Sequence, residues 1–124
     1  MCGIIGQISF NGLNHPLPQI DLLYHRGPDA RGEWTNQKGN IYFGHTRLAI
    51  LELTAAGQQP MSDQAQRFTV VFNGEIYNHL ELRQHLPKVS WKGNSDTETL
   101  IELLGAKGLS ALNLLNGMFA FSLH

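Results

Sequence analysis

The sequence predicts a single domain of the α+β class, and three observations carry this prediction. The chain has 124 residues, which is the length of one domain. Hydrophobic residues make up 42% of it, enough for a sizeable core. Strand patterns dominate, and the helical patterns are grouped in the second half, whereas an α/β fold would alternate the two.

The N-terminal part of the chain begins with a strand pattern and then turns. Alternating apolar residues predict a strand over 1–10. Residues 11–18 are rich in turn formers, and residues 20–24 can form one or two helical turns. The segment 25–29 contains adjacent glycine and proline, so we expect a sharp break of regular structure there.

Apolar runs predict three further strands. Residues 41–53 carry bulky apolar groups on both faces, as in a strand that is covered on both sides. Residues 54–63 predict a loop, and residues 68–72 predict a short apolar strand. A last strand is predicted over 118–123.

Two helices are predicted in the second half. Residues 79–86 can form a helix that stops before a proline. Residues 94–104 carry a stronger helical pattern, because Ser95 and Glu98 have the spacing of a capping box. Gly105 lies where a C-cap glycine is expected.

Composition argues against several classes of function. A net charge of −1 gives no basic surface for nucleic acid or for an anionic membrane. No apolar stretch predicts a transmembrane helix, and the first residues lack the basic region of a signal peptide. The single cysteine, Cys2, rules out a disulfide framework, so a cytoplasmic location is expected. The six histidines lack metal-ligand spacing, so no metal site is predicted.

Cys2 carries the sharpest chemical signal. If Met1 is removed, Cys2 holds a thiol nucleophile and a free α-amine on one residue. An α-amine has a pKa of about 7.7–8.0 and can act as the general base for its own side chain. The alternative interpretation is a small buried residue that opens a strand.

Asn73 and Gly74 lie between two apolar runs, and two interpretations are open. The Asn-Gly pair is typical of a type I′ hairpin turn. It also fits an oxyanion hole, with the Asn73 side-chain amide and the Gly74 N–H directed at one oxygen. The interpretations are compatible, because a tight turn can point a backbone N–H outward.

Two charged residues have both a structural and a ligand-binding interpretation. Arg47 interrupts an apolar strand and needs a partner, which is either Asp29 or Glu75 in a salt bridge or a substrate carboxylate. Asp96, at the start of the predicted helix, fits either a helix-dipole interaction or a salt bridge with a substrate ammonium. Together, Arg47 and Asp96 would recognise both charges of an α-amino acid.

The segment Arg26-Gly27-Pro28-Asp29 also has two interpretations. Gly27 and Pro28 fix an irregular backbone. In the first interpretation, Arg26 and Asp29 pair across a plain turn. In the second, the loop packs against the N-terminal cysteine.

Seven motifs occur in one order along the chain. They are Cys2-Gly3-Ile4-Ile5-Gly6, His25-Arg26-Gly27-Pro28-Asp29, His45-Thr46-Arg47-Leu48-Ala49-Ile50, Gln59-Pro60-Met61, Asn73-Gly74-Glu75-Ile76-Tyr77-Asn78, Ser95-Asp96-Thr97-Glu98 and Gly117-Met118-Phe119-Ala120-Phe121. The set closely resembles the glutaminase domain of class II glutamine amidotransferases, of the asparagine synthetase (glutamine-hydrolysing) type. Each motif alone has low specificity, but seven in register across almost the whole chain are highly specific.

The resemblance implies a fold and a reaction. The implied fold is that of N-terminal-nucleophile hydrolases, a four-layer αββα sandwich, incomplete here at the C-terminus. The implied reaction is the hydrolysis of L-glutamine to glutamate and ammonia through a cysteine thioester, which supplies ammonia for ATP-dependent amidation, with asparagine synthesis as the family default. Residues 1–124 would then form the type-2 glutamine amidotransferase domain.

The resemblance also implies roles for individual residues. Cys2 is the expected nucleophile, and Asn73 and Gly74 are the expected oxyanion hole. The expected substrate contacts are Arg47, Leu48, Ile50, Leu51, Glu75 and Asp96. The segment Arg26-Gly27-Pro28-Asp29 is expected to support the site structurally.

Cofactors and partners are expected on the same basis. The glutaminase domain needs no cofactor, whereas ATP and Mg²⁺ are expected only for a synthetase domain. That domain is absent from the 124 residues. The glutaminase domain itself is expected to be C-terminally truncated, because the resemblance implies further strands after Phe121. The synthetase would act in cis, in a longer parent chain, or in trans, and a homodimer is left open.

Two other classes of function compete with the enzyme. One is a binding module, a truncated amidotransferase fold that binds glutamine or a partner without turnover. The other is a purely structural interaction domain, which leaves the complementary charges of Arg47 and Asp96 unexplained. The presence of Cys2, Asn73 and Gly74 beside those charges favours the enzyme.

Overall fold

The computed structural model describes residues 2–13 and 17–124, and it confirms the α+β class. Within this part of the chain, six strands form two antiparallel sheets. The strands are β1 (Gly3–Ile8), β2 (Ala30–Thr35), β3 (Ile41–Arg47), β4 (Met61–Ser62), β5 (Thr69–Ile76) and β6 (Gly117–Leu123). Met1 and residues 14–16, which belong to the predicted strand 1–10 and the predicted turn-rich segment 11–18, lie outside the described residues.

The first sheet has the order β1-β3-β2, with β3 in the middle. Residues 42–47 of β3 are all buried. One face of this sheet is covered by the 3₁₀ segment Ile20–Arg26, and β3 also contacts β5 of the second sheet. The expectation that this strand is covered on both sides is therefore confirmed.

The second sheet has the order β4-β5-β6, and β5 is its central strand. Two helices follow β5 in the chain: α1 (His79–Leu82), continued by the 3₁₀ segment Arg83–His85, and α2 (Asp96–Lys107). Helix α2 packs on β4 and β5 and also against the 3₁₀ segment Gly108–Leu114. A shorter 3₁₀ turn, Ala55–Gly57, lies between β3 and β4.

The main hydrophobic core lies between the second sheet and the helices. It is built from the even-numbered apolar residues of β5 and the apolar stripe of α2. Its buried members are Val70, Phe72, Ile76, Leu82, Leu86, Leu100, Ile101, Leu103, Leu104 and Ala111. This core fixes the start of α2 against the C-terminal half of β5.

The predicted N-cap of α2 is confirmed. The Ser95 side chain accepts the backbone N–H of Glu98 at 3.2 Å. The Glu98 carboxylate does not return the bond to Ser95, because it accepts the backbone N–H groups of Lys92 and Gly93 instead, at 2.7 and 3.1 Å. The cap therefore also anchors the loop that precedes the helix.

Several predicted boundaries are wrong. Strand β4 lies within the predicted loop 54–63, and the strand predicted over 68–72 continues to Ile76 as β5. The strand predicted over 41–53 ends at Arg47, because the following residues bend round the Arg47 side chain. The C-cap glycine of α2 is Gly108, with φ of 60°, and not Gly105. Gly105 lies inside the helix, where a Cβ would come within 2.9 Å of an Arg67 guanidinium nitrogen.

Strand β2 was not predicted. Its residues alternate between half-buried and exposed, and Arg31 and Glu33 form an exposed ion pair on the outer face. The half-buried Trp34 stacks on Phe43 of β3 with ring centroids 5.5 Å apart. A short edge strand with one aromatic anchor and charges between has too little apolar alternation for the sequence to reveal it.

Candidate functional site

One cavity of about 180 Å³ brings together all the residues expected to act in catalysis or substrate binding. It lies where the start of β1, the end of β3, the middle of β5 and the start of α2 meet. The expected residues in its lining are Cys2, Arg47, Leu48, Ile50, Leu51, Asn73, Gly74, Glu75 and Asp96. Residues from four separate elements therefore converge on one concave site.

The Cys2 thiol lies against the chain just after β3. Its Sγ is 3.4 Å from the backbone nitrogen of Leu48 and 3.7 Å from the carbonyl oxygen of the same residue. The backbone of Leu48 therefore contacts the sulfur through both its N–H and its carbonyl oxygen. Cys2 is half-buried at the cavity wall, where a substrate can reach it.

The segment 26–29 lies behind Cys2 and fastens it to β3. The Arg26 guanidinium donates to the carbonyl oxygen of Cys2 at 3.1 Å, and the Asp29 carboxylate accepts the N–H of Ala49 at 2.8 Å. Gly27 allows this close approach, because a Cβ would lie within 2.5 Å of the backbone of Thr46 and Arg47. The loop therefore packs against the cysteine, and the interpretation in which Arg26 and Asp29 pair with each other is wrong.

Arg47 ends β3 with a buried guanidinium at the cavity. It donates to the carbonyl oxygens of Glu52 and of Thr54, the latter at 2.9 Å, and so curls residues 48–54 around itself. Within the described part of the chain, it forms no ion pair with Asp29 or Glu75, so the salt-bridge interpretation is wrong. A guanidinium has five N–H donors, and the loop carbonyls leave some of them for a ligand.

The hairpin interpretation of Asn73 and Gly74 is also wrong. Both residues lie inside β5, where Asn73 is opposite Ala120 and Gly74 is opposite Phe119. Gly74 has φ of 154°, and a Cβ would come within 2.3 Å of the Met118 carbonyl oxygen. Glycine is therefore needed by close packing within the sheet and not by a turn.

The register of β5 determines where its backbone N–H groups point. Thr69 and Tyr77 donate to carbonyl oxygens of residues that flank β6, so the odd-numbered N–H groups face β6. The N–H groups of Phe72, Gly74 and Ile76 therefore face the opposite side, towards β4 and the start of α2. This edge of β5 borders the cavity.

Side chains occupy two of these three N–H groups. Phe72 donates to Gln59 Oε1 at 2.6 Å, and Ile76 donates to Asp96 Oδ2 at 3.0 Å. The Gly74 N–H between them meets no acceptor among residues 2–13 and 17–124. The Gly74 N–H is thus a free backbone donor at the cavity, between two N–H groups that are hydrogen-bonded.

The Asn73 side chain is the second polar group beside Gly74. Its carbonyl oxygen is buried and accepts no hydrogen bond within the described residues. An oxyanion needs a hydrogen-bond donor, so the part of this amide that could serve it is the Nδ2 group and not the buried oxygen.

Asp96 is the first residue of α2 and is almost fully buried. Its carboxylate accepts the N–H groups of Ile76 at 3.0 Å and of Thr97 at 2.9 Å. Burial raises the pKa of Asp96, while these hydrogen bonds and the nearby His79 oppose the rise. A buried carboxylate that is incompletely neutralised attracts a cationic ligand group, so both predicted roles, at the helix terminus and towards a ligand, fit its position.

Several cavity residues were not predicted. Glu52, Gln59, Tyr77, Thr97 and Met118 are among them. The Glu52 carboxylate accepts the Thr54 hydroxyl and N–H at 2.6 and 2.9 Å and the Asn94 N–H at 2.9 Å, and these bonds lower its pKa to about 2. Gln59 stands in one of the motifs quoted above, but its side-chain contacts depend on the folded chain.

The described residues contain no cluster of three or more His, Cys, Asp or Glu side chains that could hold a metal ion. In the same part of the chain, no helix is long and apolar enough to cross a bilayer.

Comparison with known proteins identifies the family. The sequence profile described as "Glutamine amidotransferase domain" matches residues 1–124, which is the whole chain. The chain therefore belongs to the glutamine amidotransferase domain family, as the motifs predicted.

Curated relatives are similar along the same length. The chain is 38% identical to amidase chry2 of Gibberella zeae over 138 residues, which cover 99% of this chain and 21% of the relative. It is 42% identical to an asparagine synthetase (glutamine-hydrolyzing) of Asparagus officinalis, covering 99% of this chain and 21% of the relative. It is 37% identical to asparagine synthetase (glutamine-hydrolyzing) 1 of Bacillus subtilis, covering 98% and 20%. The chain thus spans about a fifth of the length of these relatives.

Proposed function

We propose that this domain hydrolyses L-glutamine to glutamate and ammonia, with Cys2 as the nucleophile. The observation that carries the proposal is the free Gly74 N–H, which shares one cavity with the Cys2 thiol and with the Arg47 and Asp96 charges. A nucleophile, an oxyanion donor and complementary charges for an α-amino acid are the groups that this reaction requires.

The first proposed step forms a thioester. After removal of Met1, the α-amine of Cys2 takes the thiol proton, and the sulfur attacks the side-chain amide carbon of glutamine. A C–S bond forms, and the carbonyl oxygen becomes an oxyanion that accepts hydrogen bonds from Gly74 N–H and the Asn73 amide. The C–N bond then breaks as the α-ammonium returns the proton to the leaving ammonia.

The second proposed step releases glutamate. A water molecule loses a proton to the Cys2 α-amine and attacks the thioester carbon through the same oxyanion arrangement. The C–S bond breaks, and the sulfur regains a proton. Cys2 is thereby restored with its thiol and amine for the next turnover.

Substrate recognition is proposed to use the two charged sites. The free N–H groups of Arg47 bind the α-carboxylate of glutamine, assisted by the backbone of Leu48, Ile50 and Leu51. Asp96, assisted by Glu75, binds the α-ammonium. The two charged residues stand on β3 and α2 and line the same cavity, so one α-amino acid could contact both.

The wider setting is also part of the proposal. The two packed sheets, covered by the 3₁₀ segment Ile20–Arg26 and by α2, would form the centre of an N-terminal-nucleophile hydrolase sandwich. Ammonia would pass to a synthetase, in cis or in trans, that uses ATP and Mg²⁺ for amidation. This step is supported by relatives whose names give asparagine synthetase. The proposed compartment is the cytoplasm, where the Cys2 thiol stays reduced.

The decisive experiment is glutamate release from L-glutamine by the purified protein, with removal of Met1 verified by intact mass. The matched variant is Cys2→Ala, which removes the nucleophile and leaves the charged sites in place. We expect release by the wild type and none by the variant. Glutamine binding without release by a chain that starts at Cys2 would instead favour the binding module.

A further inference from the structure

We propose that Gln59 is a positioning residue that aims the Gly74 N–H at the reacting oxygen. Gln59 is buried at the cavity wall, just before β4. Its side chain forms hydrogen bonds with Phe72 and Thr97 and not with Cys2 or Gly74, so it would act through the backbone of β5. The inference rests on the proposed glutaminase function.

The Gln59 side chain takes the place of a missing strand. On this edge of β5, Val70 is the last residue opposite β4, where its partner is Met61. Pairing with β5 does not continue beyond Met61 towards Pro60 and Gln59. Two residues after Val70, the N–H of Phe72 instead donates to Gln59 Oε1 at 2.6 Å. A side-chain amide thus replaces a backbone carbonyl at the point where β4 ends.

The other end of the same amide is fixed to α2. Gln59 Nε2 donates to the Thr97 hydroxyl at 3.2 Å, and Thr97 follows Asp96 in the helix. The backbone of Gln59 packs closely on β2, because its carbonyl oxygen lies 2.0 Å from the position that a Cβ on Gly32 would take. Gln59 therefore joins β5 to α2 through its side-chain amide and packs on β2.

The hydrogen bond between Gln59 and Phe72 lies two residues along β5 from Gly74, the proposed oxyanion donor. The N–H groups of Phe72 and Gly74 face the same side of β5, and Ile76 is tied to Asp96 on the far side of Gly74. The free N–H is thus held from both sides. Oxyanion donors act at about 2.7–3.1 Å, and a displacement of about 1 Å can cost about 100-fold in rate. Loss of the Gln59 link would let the Phe72–Gly74 segment move by distances of this size.

The test compares three variants of the purified protein. Gln59→Leu removes both polar contacts at similar size. Gln59→Glu keeps an acceptor for Phe72 N–H. Gln58→Leu is the matched control, because Gln58 is exposed and its amide donates to the Arg31 carbonyl outside the cavity. The kcat and KM for L-glutamine are measured for each, and the Kd for L-glutamine is measured in the Cys2→Ala background.

We expect Gln59→Leu to lower kcat by about 10–100-fold, while KM and Kd change by less than about threefold. This split is expected because an oxyanion donor acts mainly in the transition state. Gln59→Glu should retain a kcat at least about fivefold above that of Gln59→Leu, and Gln58→Leu should match the wild type within about twofold.

Three outcomes would overturn the inference. Equal kcat in Gln59→Leu and the wild type would show that the link has no role in catalysis. A fall in kcat accompanied by a rise in Kd of similar size would show general damage to the site. Absence of glutamate release from wild-type protein with Met1 removed would overturn the proposed function and this inference together, so the two failures are distinguishable.

Discussion

The Asp96 carboxylate accepts the backbone N–H of Ile76 at 3.0 Å and so joins the first residue of α2 to the last residue of β5. The bond is on the edge of β5 that faces away from β6, where the Ile76 N–H would otherwise be free to pair with a neighbouring strand. It places the carboxylate at the cavity, two residues from the free Gly74 N–H. One side chain thus limits the edge of the sheet and supplies the charge proposed to bind the substrate ammonium.

Asp96→Asn should weaken the recognition of the substrate ammonium. Hydrogen bonds to charged groups contribute about 1.5–3 kcal/mol, so KM for L-glutamine should rise about 10–100-fold. Glutaramic acid lacks the α-ammonium, so its kcat/KM should change much less than that of glutamine. Steady-state kinetics with both amides provide the measurement.

The matched control for Asp96→Asn is Asp21→Asn, because Asp21 has an exposed carboxylate that pairs with Arg31. Its kinetic constants should remain those of the wild type. Equal losses on glutamine and glutaramic acid in Asp96→Asn would show that the carboxylate supports the fold of the site and does not bind the ammonium.

Arg47→Lys should weaken the recognition of the substrate carboxylate. Lysine keeps the charge but lacks the planar fork, and it cannot hold the Glu52 and Thr54 carbonyl oxygens at the same time. KM for L-glutamine should rise about 10–100-fold. 4-Aminobutanamide lacks the carboxylate, and its kcat/KM should therefore change much less.

Arg31→Lys is the matched control for Arg47→Lys, because Arg31 is half-exposed in its ion pairs with Asp21 and Glu33. Both kinetic constants should remain within about twofold of the wild type. If Arg47→Lys reduced kcat/KM equally for both amides, Arg47 would only hold the loop 48–54 in place and would not bind the substrate carboxylate.

Much of the site could be predicted from the resemblance of seven ordered motifs to the glutamine amidotransferase family, whereas each residue taken alone leaves a structural interpretation open. The resemblance predicts one site for Cys2, Arg47, Asn73 and Asp96, and these residues line one cavity. The role of Gln59 could not be predicted, since its partners lie 13 and 38 residues away in the chain.

Two of the wrong predictions concern glycines. Local patterns indicated a hairpin at Asn73-Gly74 and a helix cap at Gly105, but Gly74 lies inside β5 and Gly105 lies inside α2. Gly74 is needed because β6 approaches it, whereas an added Cβ on Gly105 would come closest to the end of the flexible Arg67 side chain. Glycine has several structural uses, and a single sequence does not distinguish them.

Gly74→Ala should destabilise the fold and abolish most of the activity. The added Cβ would meet the Met118 carbonyl oxygen at 2.3 Å and the Phe119 Cα at 2.5 Å, and φ of 154° is unfavourable for alanine. Strain and overlap should together lower the free energy of unfolding by about 2–4 kcal/mol. Displacement of the N–H should lower kcat by about 100–1,000-fold.

Gly39→Ala separates backbone strain from steric overlap. Gly39 has φ of 62°, but no atom lies within 4 Å of the position of an added Cβ. Gly39→Ala should lower the free energy of unfolding by about 1–2 kcal/mol, from backbone strain alone. Urea unfolding of both variants gives the comparison, and an equal loss in the two would rule out the contact with β6 as the cause.

His45 should make the folded protein less stable as the pH falls from about 6.5 to about 4. It is buried in β3, and neither ring nitrogen has a hydrogen-bond partner within the described residues. Burial lowers its pKa to about 4, an interaction with the Phe72 backbone opposes this shift, and the nearby positive charge of Arg47 acts in the direction of burial. The unfolded chain therefore binds a proton below pH of about 6.5 that the folded chain refuses until about pH 4. Stability is full above this window, and up to about 3 kcal/mol is lost across it.

His45→Leu should remove this part of the pH dependence, because leucine has no proton to bind. The measurement is the free energy of urea unfolding at several pH values between 7 and about 4.5. The difference between wild type and variant isolates His45 from other titrating groups, such as the buried His79. His85→Leu is the control, since His85 is exposed, and it should keep the wild-type slope. A wild-type slope in His45→Leu would mean that His45 takes up its proton equally well in the folded and unfolded chains.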